Sequence, residues 1–250
     1  MTRHQIRGPR FGTWAFAILS SLVMGISSLM PWCAVGWHTL SSERRGEPAN
    51  HAARLSSPQA LRCAQGRATL ATACRETAQR VARDLGPQCR VIVEPPLVIA
   101  GDLSVADLQR WWRQTIQPAA RAMAAEYFAA APDEPITILL FADEESYRRH
   151  AKRLFHDEHL PRCGYYRPHL RTMLINVSAG RGALLHELTH ALAAFDFPDA
   201  PDWLHEGLAS LHEEALLRPD GSGLIGQSGP RLLTLQKAIS AGRLRPLRWV

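Results

Sequence analysis

Apolar positions along this chain change rhythm several times, and each change marks an element. Between residues 59 and 85, Ala71, Cys74, Ala78, Val81 and Leu85 return at helical spacing on one face. Gly86-Pro87 then ends that helix. Residues 91–100 form a strand-like apolar run broken in the middle by Pro95-Pro96, which predicts an edge position. Ser104 with Asp107 reads as a capping box. The helix behind it turns Leu108, Trp112, Ile116, Met123 and Tyr127 inward, and Pro118 kinks or restarts it. Residues 136–141 are apolar apart from Thr137, as befits a buried strand. Asp143 caps a helix carrying Tyr147, Ala151 and Phe155. Residues 164–167 and 170–177 read as a β-hairpin that leads into a further helix. The order is α+β: a small, mixed sheet followed mostly by helices.

That further helix runs from the polar group Asn176-Val177-Ser178, which is placed to cap it, to Phe197-Pro198. At about 100° per residue, Leu184, Leu185, Leu188, Leu192 and Phe195 gather on one side. The other side holds His186, Glu187 and His190 with Ala183, Thr189 and Ala193. Residues 201–214 read as a second helix with Leu204, Leu208, Leu211 and Ala215 as its apolar stripe. Glu206 points away from that stripe, flanked by Gly207, Ala209 and Ser210, whose small size lets the two helices approach. Trp203 is assigned to the core.

The spacing His186-Glu187-Leu188-Thr189-His190 names a chemistry. Two imidazoles at i and i+4 stand one turn apart on a helix and can grip one zinc ion. The carboxylate beside the first lies on the adjoining face, where it can serve as base for a water on the metal. A catalytic zinc keeps three protein ligands and an open position. Glu206 is the favoured third ligand. His205 and His212 compete with it, as does Asp196, six residues after His190, where metzincins place theirs. Metzincins have Gly three residues after the second His, and this chain has Ala193 there.

His186-Glu187-Leu188-Thr189-His190-Ala191-Leu192 followed by Pro-Asp-Trp-Leu-His-Glu-Gly-Leu-Ala at 201–209 resembles the gluzincin clan. Within it the match is to bacterial peptidase-MA-like domains of the HExxH…WLxEGLA type. The resemblance is strongest over residues 181–214 and extends weakly back to residue 91. It implies a zincin-like fold, zinc held by His186, His190 and Glu206, and Glu187 as catalytic base. It further implies that the strand before the metal helix, residues 170–177, binds an extended peptide along its edge. Only fifteen residues separate His190 from Glu206, fewer than in thermolysin-type members. Relatives of this type often continue with further helices, which leaves a shortened product and a fragment both open for a chain ending at Trp249-Val250.

The expected function is therefore zinc-dependent hydrolysis, most simply of a peptide or protein. Zinc acidifies a water and polarises the scissile carbonyl, while Glu187 takes the proton and returns it to the leaving amine. Tyr165, Tyr166, Arg167 and His205 are candidate second donors to the oxyanion. Two rivals stand beside this: a non-catalytic zinc-binding or cell-envelope interaction module of the same fold, and an amidase acting on non-peptide amides. His150, His156, His159 and His169 are expected to face solvent.

Composition refines the setting. Arg3, Arg7 and Arg10 precede twenty-seven uncharged residues, 11–37, with an apolar heart at 14–24. Residues 1–37 read as a signal peptide, with Ala34-Val35-Gly36 as cleavage site, or as an uncleaved signal anchor. Either places the catalytic domain outside the cytoplasm, periplasmic or held at the cytoplasmic membrane. Residues 38–58 are a polar linker, and 59–250 form one catalytic domain. Net charge is +6, half of it in the leader, and no basic run points to nucleic acid. Cys63, Cys74, Cys89 and Cys163 are enough for two disulfides in an exported protein. Nothing in the pattern sets an oligomeric state.

Overall fold

Residues 58–221 and 223–243 are described by the structure, a computed structural model. The leader at 1–37 and nearly all of the 38–58 linker lie outside the described residues. Helix α1 (Pro58–Leu85) stops at Gly86, and its buried side is the expected one, led by Cys74 and Leu85 with Thr77 between them. The run at 91–100 proves to be two strands. β1 (Arg90–Glu94) and β2 (Leu97–Gly101) form an antiparallel hairpin whose turn is Pro95-Pro96, joined by a cis bond. Only β1 is an edge. β2 is buried along its whole length because a parallel neighbour, β3 (Ile136–Phe141), covers its other side.

The sheet order is β1-β2-β3-β5-β4. β5 (Thr172–Asn176) runs parallel to β3, and β4 (Gly164–Arg167) closes the far edge antiparallel to β5. The hairpin of β4 and β5 is as expected, but its second strand is interior, since β3 occupies its other side. The free edge beside the following helix is β4, not residues 170–177. The fold is thus mixed α/β with a five-stranded mixed sheet.

Register aligns Val91, Ala100, Leu139, Leu174 and Tyr165 across one face. This row packs against Leu85 of α1 and Tyr147 and Ala151 of α4 (Glu144–Phe155). Side chains alternate between faces, so Ile92, Ile99, Ile138, Met173 and Tyr166 turn to the opposite side. Asp143 caps α4 through the Ser146 N–H, and Ser104 caps α2 (Val105–Trp111) through the Asp107 N–H. A π-helical turn, Trp112–Ile116, joins α2 to α3 (Gln117–Glu126), with Pro118 in the first turn of α3. Pro118 brings no N–H, so the wider turn before it forgoes little. Leu108, Trp112, Ile116 and Met123 are buried as expected, whereas Tyr127, just past the helix, is exposed.

Two further expectations fail here. His150 is buried, stacked on Phe141 with ring centres 4.5 Å apart and Nδ1 2.9 Å from the Ser146 carbonyl. His156, His159 and His169 do face solvent. Cys74, Cys89 and Cys163 are free thiols, so no disulfide engages any of these three, and Cys63 lies outside the described side chains. Burial pushes the Cys74 and Cys89 thiols up, which keeps them protonated and inert. Among the described residues no helix is long and apolar enough to cross a membrane.

Candidate metal centre

The helix carrying the two-histidine motif, α5 (Arg181–Asp196), lies against β4 and β5. Asn176 does not cap it. Its Oδ1 instead accepts from the N–H and hydroxyl of Ser178, fixing a 3₁₀ turn at Val177–Ala179. Gly180 follows with φ +95°, a value that disfavours any residue bearing a Cβ, and there the chain turns into α5. The apolar side holds Leu184, Leu185, Leu188 and Leu192, all buried, with Phe195 half-buried at its end. Thr189 does not line an open face. It is fully buried, donating to the Leu185 carbonyl (2.8 Å) and lying 3.0 Å from His212 Nδ1.

His212 belongs to α6 (Asp202–Glu213), which packs along α5. The expected leucine stripe is not the buried one. Leu204 and Leu208 are half-buried and Leu211 is 38% exposed, while Ala209 and His212 fill the contact. Small groups win because the helices are close. A Cβ on Gly182 of α5 would sit 3.0 Å from the Glu213 carbonyl. Gly207 has open space around it, so the close approach rests on Gly182. Trp203 is 46% exposed, not core.

Across this seam His186, His190 and Glu206 converge. The two Nε2 atoms are 3.2 Å apart, and the Glu206 oxygens lie 3.5 Å from His186 Nε2 and 3.4 Å from His190 Nε2. A tetrahedral ion with bonds of about 2.0–2.1 Å spaces its ligand atoms about 3.3–3.4 Å apart. The donor set therefore fits zinc in both chemistry and dimension. Burial and the neighbouring His186 and His205 push His190 below the usual imidazole range, with Glu206 opposing. That favours the neutral ring, the form that ligates.

Glu187 is half-buried beside the edge strand. Burial, joined by the negative charges of Glu206 and Glu213, pushes its carboxyl up to about 7, while a hydrogen bond from the Tyr166 backbone N–H on β4 pulls the other way. A carboxyl poised near neutrality can both take and return a proton.

The rival ligands are otherwise engaged. Asp196 Oδ1 accepts from the Ala130 N–H at 2.8 Å. His205 Nε2 is 3.1 Å from the Phe197 carbonyl, with its ring centre 6.2 Å from that of His190. His212 points into the α5–α6 seam, and burial pushes it down to about 4. Of the candidate oxyanion donors, the Tyr165 hydroxyl and the Arg167 guanidinium are both bonded to Asp157, at 2.5 and 3.0 Å. Tyr166 contributes its backbone N–H to Glu187, and burial pushes its phenol up to about 12.

One neighbour escaped the sequence reading. Glu213 Oε2 lies 3.6 Å from His186 Nδ1. Its signal was present: it follows Glu206 by seven residues, two turns along the same face of α6. The chain matches no family model, no curated protein sequence and no solved structure.

Proposed function

We propose that this chain is a zinc-dependent hydrolase of zincin-like fold, with a peptide or protein as substrate. One observation carries the reading: two imidazoles and a carboxylate, from two helices, converge at the spacing of a tetrahedral zinc site. His186, His190 and Glu206 would hold the ion, which when bound supplies Lewis acidity to a water and a carbonyl. Glu187 has the other half of the task. Its carboxylate accepts a proton and delivers it to the leaving nitrogen. The Tyr166 N–H holds that carboxylate beside β4. An edge strand at this place gives an extended peptide a surface to lie along, which favours peptide over other amides.

A purely structural zinc site needs no base, so Glu187 speaks for turnover. The arrangement of a mixed sheet, an antiparallel edge strand, a two-histidine helix and a glutamate helix also supports the gluzincin-type assignment. The basic and apolar leader supports work outside the cytoplasm.

Glu187→Gln tests the whole reading. The variant is expected to bind zinc as the wild type does and to lose hydrolysis of a peptide library by at least about a hundredfold. Wild-type protein that carries zinc yet cleaves no library peptide refutes the peptidase.

A further inference from the structure

The first zinc ligand has an unpaired end. His186 is buried, and its Nδ1 finds no hydrogen-bond partner. Its Nε2 faces His190 and Glu206, so the ring proton belongs on Nδ1. The carboxylate oxygen near that nitrogen is Glu213 Oε2, at 3.6 Å. A shift of about half an ångström would close a hydrogen bond. The same oxygen receives Arg231 Nε at 2.9 Å. Arg231 stands in the first turn of α7 (Pro230–Ser240), after the small hairpin of β6 (Leu216–Leu217) and β7 (Leu224–Ile225).

We infer that Glu213 is the positioning residue for His186, clamped by Arg231, so that the last described helix helps set the metal affinity of the site. This rests on the proposed zinc site and adds a role to residues that no part of that reading assigns. Three features support it independently. The imidazole N–H is buried and otherwise unpaired. Glu213 is only 28% exposed, which strengthens a charge-assisted bond. Gly182 lets the Glu213 backbone come within contact of α5, fixing where its carboxylate starts. A carboxylate behind a ligating imidazole fixes the tautomer, orients the ring and makes it a better donor.

The experiment measures zinc dissociation constants by chelator competition, with the absorption spectrum of the cobalt-loaded protein as a second readout. Glu213→Ala is expected to weaken zinc by about 10–100-fold and to alter the cobalt spectrum. Glu213→Gln keeps a neutral acceptor and should recover part of the loss, which a merely structural role would not predict. Arg231→Ala, breaking an exposed pair, should cost about fivefold or less. Melting curves of the metal-free proteins separate misfolding from weakened binding, and Glu213→Gln carries the test should Glu213→Ala not fold. If the wild type binds zinc and the folded Glu213 variants bind within about twofold of it, the inference falls alone. If the wild type binds no zinc, the metal-site reading falls and takes this inference with it.

Discussion

His212 makes the stability of this fold depend on pH in a window that can be calculated. It is 1% exposed, and its Nδ1 lies 3.0 Å from Thr189 Oγ1. The Thr189 proton is spent on the Leu185 carbonyl, so Nδ1 must donate and Nε2 is the bare nitrogen. Nε2 is buried without a partner, and Tyr127 packs edge-on at 4.7 Å. A proton there would create an unsolvated cation, which is why burial lowers this group from 6.5 to about 4. Between those values the unfolded chain binds the proton and the native state refuses it. Stability is therefore complete above about pH 6.5 and is lost as pH falls toward about 4. At about pH 5 the unfolded chain is favoured by a factor of about 30, or about 2 kcal/mol, and at about pH 7.5 by almost nothing. His212→Asn keeps a donor near Nδ1 and removes the titration. Urea unfolding of both metal-free proteins at about pH 5 and 7.5 isolates the effect, since the remaining groups cancel. The wild type should lose about 2 kcal/mol more than the variant over that interval. Equal losses, within about 0.5 kcal/mol, refute the assignment of a neutral, Nδ1-protonated His212.

Zinc at about a hundredfold excess over its dissociation constant should stabilise the wild type by about 2.7 kcal/mol, raising Tm by about 5–10 °C. Glu206→Ala should cancel most of that rise, and an undiminished rise would mean the ion sits elsewhere. Gly182→Val forces a branched side chain against the Glu213 backbone and should cost about 1–3 kcal/mol in denaturant unfolding. Gly207→Ala meets open space and should instead gain up to about 1 kcal/mol; the opposite order would contradict the packing described. Thr189→Val strands the His212 N–H in the seam, and a melt showing less than about 1 kcal/mol of loss would deny that bond its role.

The site was more legible in the sequence than the packing around it. Spacing alone placed His186, Glu187 and His190, because helical periodicity decides which side chains share a face, and the caps at Ser104 and Asp143 are equally local. Strand adjacency is not local. Nothing within residues 91–100 or 170–177 says that β3 will sit between β2 and β5, so an edge was expected where a neighbour lies. On α6 hydrophobicity misled for a different reason. Leu204, Leu208 and Leu211 suggested the buried face, but the two helices that bring His186, His190 and Glu206 together approach through Gly182, Ala209 and His212, where bulk would hold them apart. His150 and Trp203 reversed expectation in the same way, one polar ring inside and one apolar ring half outside.

The residues that gather at the seam come from segments joined by a short connection, 197–201, yet no covalent bond closes that loop. An ion bridging them would act as a removable cross-link. With it in place, α6 can fray only by surrendering ligands, so amide hydrogen exchange along α6 and 197–201 should slow together and speed up together when the ion is stripped away.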